Sequence, residues 1–142
     1  MKNEQELGQA LYVLEQYKAQ AENLSRQRQM VMMSLEEHMR AKLTLSECSA
    51  AKEGTEILVP VGANAFITAK SQSPERVLIG IGADVIIEDS TKGAVEKLEE
   101  SIRMLEDADK RICARIADIE QQSELLSAEL EQEMGRSGGR AR

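Results

Sequence analysis

Aromatic residues are nearly absent: Phe66, Tyr12 and Tyr17 are the only three in 142 residues, and there is no Trp. A compact globule of this length normally packs its core around such rings, so a wide layered core is not expected. Proline is scarce too, with only Pro60 and Pro74, while 30% of the residues are charged. That balance fits long helices, which bury a narrow seam. Two cysteines, Cys48 and Cys113, make no disulfide framework. No run approaches the ~18 consecutive apolar residues of a membrane span. The opening residues after Met1 are Lys2, Asn3, Glu4, Gln5 and Glu6, with no secretory apolar region. A soluble, reduced, cytoplasmic protein is expected.

Positive charge is in the minority, and the net charge is −7. Residues 135–142 hold Arg136, Arg140 and Arg142 and no acid, so the first 134 residues carry −10. An acidic body repels nucleic acid and anionic membranes, and neither is expected as a partner. The Gly/Ser-rich basic end is expected as a disordered tail over 135–142.

What the chain does have is periodicity. Residues 4–53 contain no Gly after Gly8 and no Pro. Apolar residues recur there with alternating spacings of three and four, the mark of a coiled-coil helix. The stripe reads Leu7, Ala10, Leu14, Tyr17, Ala21, Leu24, Arg28, Val31, Leu35, His38, Lys42 and Leu45. Gly54 is a plausible stop. A second helix is expected over 90–134, with Asp89, Ser90 and Thr91 as capping candidates. Its stripe reads Val95, Leu98, Ile102, Leu105, Asp109, Ile112, Ile116, Ile119, Ser123, Leu126 and Leu130.

Between the helices, over 55–89, the period changes to two. Ile57 to Val61 and Ala65 to Ala69 flank a turn at Gly62-Ala63-Asn64. After the link Ser71-Gln72-Ser73-Pro74, Val77 to Ile81 and Val85 to Ile87 flank a second turn at Gly82-Ala83-Asp84. These are two β-hairpins. Two short hairpins make a small sheet with exposed edges, which points to an oligomerisation domain. Its candidate contact residues are Ile57, Val59, Phe66, Val77, Ile79, Ile81, Val85 and Ile87. The fold class is therefore α+β: a long antiparallel two-helix coiled coil with two β-hairpins inserted at the helix–helix connection.

Pairing positions whose numbers sum to 136 or 137 sets Leu7 against Leu130, Tyr17 against Ile119 and Leu24 against Ile112. It also sets Arg28 against Asp109, so two polar interruptions become one ion pair that specifies register. The same pairing keeps Cys48 far from Cys113 and predicts free thiols. At the free tip, Leu11, Leu125 and Met134 widen the apolar surface beyond Leu7, Leu14, Leu126 and Leu130. Two readings stand: a tip that takes up exposed apolar segments, or extra contacts that hold a fraying end.

The segments Ile57-Leu58-Val59-Pro60-Val61-Gly62-Ala63-Asn64-Ala65-Phe66 and Val77-Leu78-Ile79-Gly80-Ile81-Gly82-Ala83-Asp84-Val85-Ile86-Ile87-Glu88 resemble the hairpins of prefoldin. Two hairpins between two coiled-coil helices are similar to that family's α-type subunits; its β-type subunits have one. The resemblance implies an archaeal-type member of a hexamer of two α and four β subunits. It implies a β-barrel platform built from the hairpins, with the coiled coils as tentacles. It also implies ATP-independent capture of unfolded client proteins near the tentacle tips, with delivery to a group II chaperonin. By location, the client-binding tip then maps onto Leu7, Leu11, Leu125, Leu126 and Leu130. No catalytic residue, cofactor or metal is implied. Some α-type relatives form filaments by themselves, and a structural coiled-coil spacer or adaptor is the rival from another class.

Other signals have plainer readings. His38 lacks the partners of a metal or catalytic site. Gly80-Ile81-Gly82-Ala83 lacks the third glycine and the following helix of a phosphate loop. Met30, Met32, Met33 and Met39 are expected to pack along the flanks of the coil, the alternative being an adaptable client surface. The acids of the second helix, such as Glu96, Glu99, Glu100, Glu106 and Asp107, read as a solvated face. Two helices offer no cleft for paired-carboxylate catalysis.

Overall fold

A computed structural model describes residues 4–72 and 75–140, with the backbone alone for 137–140. The elements run α1 (Glu4–Ala50), β1 (Glu56–Gly62), β2 (Ala65–Lys70), β3 (Arg76–Gly82), β4 (Val85–Ser90) and α2 (Thr91–Arg140). Two long helices thus flank two antiparallel hairpins, as the change of period predicts. Ser73 and Pro74 of the link lie outside the described residues.

The chain divides into two compact units. The first holds α1 up to Met33 and α2 from Glu106; the second is Ser34–Leu105. In the first, Ala10, Ile119 and Leu130 are buried, and Leu7, Leu14, Tyr17, Ala21 and Leu24 are half-buried. Residues 6–17 of α1 line a groove with residues 122–129 of α2, and Arg28 pairs with Asp109. Numbers that rise on one helix and fall on the other make the pair antiparallel. In the second unit, Thr91, Ala94 and Ile102 are buried, and Lys42 pairs with Glu99 at 3.2 Å. The apolar stripe is the covered stripe in both units because two helices in contact shield only the positions between them.

α1 stops at Ala50, three residues before the expected 53, where the Ala51 N–H donates to the Cys48 carbonyl at 3.2 Å and tightens the last turn. At the other end the structure departs further from expectation. Gly135 does not end α2, which continues to Arg140. Residues 135–140, expected as part of a disordered tail, are therefore helical; Ala141 and Arg142 lie outside the described residues. This stretch takes in three glycines, Gly135, Gly138 and Gly139, each costing about 1 kcal/mol relative to Ala inside a helix, against one hydrogen bond added per residue by propagation.

The two hairpins are near copies of each other, twenty residues apart. In the first, Ile57 pairs with Ala69, Val59 with Ile67 and Pro60 with Phe66. In the second, Val77 pairs with Asp89, Ile79 with Ile87 and Gly80 with Ile86. Each has one extra residue, Val61 or Ile81, before the turn. Ala63 and Asn64 sit at φ 51° and 59°, and Ala83 and Asp84 at 51° and 60°. Positive φ at both central residues is the type I′ turn, whose twist matches paired strands. Gly62 and Gly82, at φ 108° and 106°, lie where a side chain is strained. Further bonds close each hairpin beyond its strands: the Ser71 N–H donates to the Thr55 carbonyl at 2.9 Å and the Gly54 N–H to the Ser71 carbonyl at 2.8 Å in the first, and the Thr91 N–H donates to the Glu75 carbonyl at 2.9 Å in the second.

Ala63 and Ala83 carry a β-carbon in a left-handed conformation that costs L-residues about 1–2 kcal/mol. Ala63→Gly and Ala83→Gly should each raise stability by about 0.5–1 kcal/mol, the strain relieved less the extra entropy of glycine in the unfolded chain. Urea unfolding of each variant against the parent checks this; a loss of stability at either position contradicts it.

Candidate interaction surfaces

The hairpins expose most of their apolar side chains. A two-stranded ribbon has two faces, and within this chain each hairpin covers only part of one. Ile57, Val59, Val77, Ile79 and Ile87 are half-buried. Phe66, Ile81 and Val85 are 57%, 54% and 47% exposed. Leu58, Val61, Ile67, Leu78 and Ile86 are also exposed, on one face of a ribbon or the other, although the sequence pattern alone did not single them out. Their signal was present: both hairpins are apolar at consecutive positions, so neither face is reserved for water.

The second surface lies in the first unit, where residues 7–13 of α1 meet residues 125–134 of α2. The five residues proposed for the tip do not behave alike. Leu130 is buried in the seam, and Leu7 and Leu126 are half-buried. Leu11 and Leu125 are open, at 50% and 62% exposure. Tyr12, Val13 and Met134 are exposed with them. Tyr12 and Val13 were missed, although Leu11-Tyr12-Val13 is an apolar run that one helix stripe cannot cover. Val13, Tyr17, Leu125 and Leu126 line an open groove there, bordered by Glu6 and Glu129.

Met30, Met32, Met33 and Met39 do not pack along the flanks. They are exposed, as is Met104 on α2. Outside the seam positions a second helix has nothing to place over them.

Two polar clusters organise the helices. In the first unit Arg28 Nε donates to Asp109 Oδ1 at 2.8 Å. Asp109, by this hydrogen bond first and then by charge, holds the guanidinium pKa above its ordinary value. Cys113 Sγ lies 4.0 Å from the same oxygen. In the second unit Ser90 caps α2, its Oγ accepting the Gly93 N–H at 3.0 Å. Asp89 accepts from Lys97 Nζ and from the Ser90 N–H. These two bonds, Lys97 first, hold the Asp89 carboxyl below the usual carboxylate range. A β-carbon on Gly93 would meet Asp89 Oδ1 at 2.6 Å, so the glycine makes room for this arrangement.

Neither cluster is a reaction centre. His38 turns its Nδ1–H onto the Ser34 carbonyl of its own helix at 2.7 Å. Cys48 and Cys113 are free thiols. Among the described residues no group of His, Cys, Asp and Glu is placed to hold a metal. Among the same residues no helix is long and apolar enough to cross a membrane.

Comparison with known proteins gives one family. The family model for a prefoldin subunit matches residues 17–136. Prefoldin subunit alpha of Methanococcus aeolicus is 30% identical over 139 residues, spanning 95% of this chain and 94% of that relative. The namesake from Thermofilum pendens is 35% identical over 108 residues, spanning 70% of this chain and 83% of the relative. Among solved structures, filamentous prefoldin from Methanocaldococcus jannaschii aligns with a TM-score of 0.71 at 24% identity, over 86% of this chain and 98% of that one. The prefoldin beta subunit of Thermococcus strain KS-1 aligns with a TM-score of 0.61 at 20% identity, over 94% and 96%. At those identities the structural likeness speaks for the fold.

Two outcomes follow from the polar clusters. Arg28→Asp should lower the urea midpoint by placing two acids side by side, and the exchange Arg28→Asp/Asp109→Arg should recover most of the loss; no recovery would mean the pairing is incidental. Asp89 has a depressed folded-state pKa, so its contribution is complete above the unfolded value of about 3.9 and is lost as pH falls through the folded value. Asp89→Asn should flatten that part of the acid dependence, measured as urea midpoints from neutral pH downwards.

Proposed function

Since the chain belongs to the prefoldin family, whose subunits are non-enzymatic chaperone components, we propose that it works as an ATP-independent holdase. It takes up unfolded proteins at the end of the helix pair, through Leu11 and Leu125 with Leu7, Leu126 and Leu130 as the supporting seam. The observation that carries this reading is the exposure of Leu11 and Leu125 beside a seam that is closed at Leu130. Large apolar groups clustered in solvent mark an interaction surface. Contacts of this kind are weak singly; several arms on one particle multiply them.

The hairpins supply the particle. Ile57, Val59, Phe66, Val77, Ile79, Ile81, Val85 and Ile87 join the hairpins of β-type prefoldin subunits, two α-type chains with four β-type. The assembly acts in the cytoplasm and passes its clients to a group II chaperonin. The support is the family match together with the apolar hairpin surface that this chain does not cover by itself. Self-assembly into filaments is the second reading, favoured by the likeness in fold to filamentous prefoldin. Sedimentation of the chain alone separates the two, since only the filament reading expects large particles without a β-type subunit.

Light scattering of a chemically unfolded model protein tests the capture step. The chain assembled with a β-type subunit should suppress aggregation without ATP. Leu11→Ser/Leu125→Ser should leave assembly intact, because both side chains lie off the seam, and abolish most of the suppression. Full suppression by the double variant, or none by the assembled parent, would sink the capture reading and favour a spacer.

A further inference from the structure

The charge of the first unit is unevenly spread. Residues 4–22 and 118–136 hold ten acids, all exposed except the half-buried Glu133, against Lys18 and Arg136. The rest of that unit, residues 23–33 and 106–117, holds three acids against Arg26, Arg28, Lys110, Arg111 and Arg115. Negative charge is therefore gathered where Leu11 and Leu125 are exposed. With Lys2, Arg140 and Arg142 of the adjoining sequence counted as well, acids still outnumber basic side chains two to one. Pairing within the chain leaves a surplus.

The acids also stand at defined places beside the apolar residues. On a helix, residues four apart are surface neighbours. Glu15 is that neighbour of Leu11, and Glu129 is that neighbour of Leu125. Among the described residues, Glu6 and Glu129 are the only charged groups that line the open groove of Val13, Tyr17, Leu125 and Leu126. A second groove, past Tyr17 and Ile119, mixes Lys18 and Arg26 with its acids. Mixed signs serve solvation as well as one sign does, so the one-signed border is particular to the groove at the exposed leucines.

Apolar walls under an acidic rim suit a ligand that is apolar in the middle and cationic at its margins. Lysine and arginine fit both parts: their methylene stems pack on apolar surface while the charged head reaches a carboxylate. A folded protein buries most of its large apolar side chains, whereas an unfolded segment offers them beside its basic ones. We propose that this end of the helix pair selects unfolded segments whose apolar residues are flanked by lysine or arginine, and disfavours segments flanked by acids. The assignment rests on the capture role proposed above and adds the class of segment captured. Attraction of this kind acts mainly on the rate of encounter and weakens with salt.

Fluorescence anisotropy of two labelled peptides tests it, both with one Leu-Val-Phe core, the first flanked by lysines and the second by glutamates. Each is titrated with the chain assembled with a β-type subunit. Because the β-type arms can bind peptide too, the Leu11→Ser/Leu125→Ser assembly measures what remains without this chain's surface. At low salt the lysine-flanked peptide should bind roughly tenfold more tightly, as several exposed charge pairs of modest strength allow. The gap should close near 1 M salt, where the screening length is about 3 Å. Glu15→Gln/Glu129→Gln should narrow it to roughly threefold, chiefly through slower association of the lysine-flanked peptide. Equal binding of the two peptides, or a gap that neither salt nor this variant narrows, removes the charge selection and leaves capture standing. No difference between the parent and the Leu11→Ser/Leu125→Ser assembly removes capture itself. A folded basic protein that binds the parent as tightly as the lysine-flanked peptide, and is lost in the same variant, overturns the unfolded segment in favour of a folded partner.

Discussion

Two helices in contact shield one stripe on each, and that limit decides where every other apolar group of this chain goes. The stripe is filled by Ile102, Ile119 and Leu130, which are buried, and by leucines and isoleucines that are half-buried. Leu11, Leu125, Met30, Met32, Met33, Met39 and Met104 lie off it and stay in water. A globule would fold such residues into a second layer; without a second layer they become surface. Burying one side chain of this size is worth about 1.5–3 kcal/mol, so each exposed cluster is a standing attraction to other chains.

The hairpins meet the same limit in a different geometry. A two-stranded ribbon is marginal in water by itself. Here two such ribbons carry Leu58, Phe66, Leu78 and Ile86 in the open. Among the described residues each ribbon has only its own two strands, so no third strand pairs with its outer edges. A chain built this way has its stability tied to what it binds, since any partner that covers those surfaces shifts the equilibrium towards the folded form. The strained Ala63 and Ala83 turns belong to the same picture. Strain there is tolerable because the strands on either side fix the turn.

Helices and hairpins were legible in the sequence because their periods, 3.5 and 2, are properties of single elements. The seam was legible for the same reason: every position of the stripe except Arg28 is half-buried or buried. What escaped were features set by the balance of opposing effects or by tertiary placement. Gly135, Gly138 and Gly139 carry helix-stop signals, and the helix nevertheless runs on to Arg140. The methionines have apolar character, but character does not say whether a second helix reaches them. The interplay of Asp89, Lys97 and Gly93 needs the strand end and the first turns of α2 in one place, and no local pattern announces that. At the candidate surfaces, residue type was readable and exposure was not, so Leu130 was grouped with Leu11 although only Leu11 faces solvent.

We propose that the Arg28–Asp109 pair, although weak, selects the register of the helices. The pair is partly exposed, with side chains at 45% and 21% of their free accessibility, and pairs in that setting contribute little to stability. A coiled coil of leucines and isoleucines has many alignments of similar energy, however, one per heptad. Sliding one helix by a heptad sets Arg28 against Ile116 or Ile102, and leaves Asp109 against an apolar residue as well. Each misalignment sets two unpaired charges beside apolar residues and loses the native pair, which disfavours it. The ion pair therefore acts mainly by making the wrong registers worse. A correct register matters here because it fixes which residues are left over at the end of the seam, and those leftovers, Leu11 and Leu125, form the surface proposed for capture.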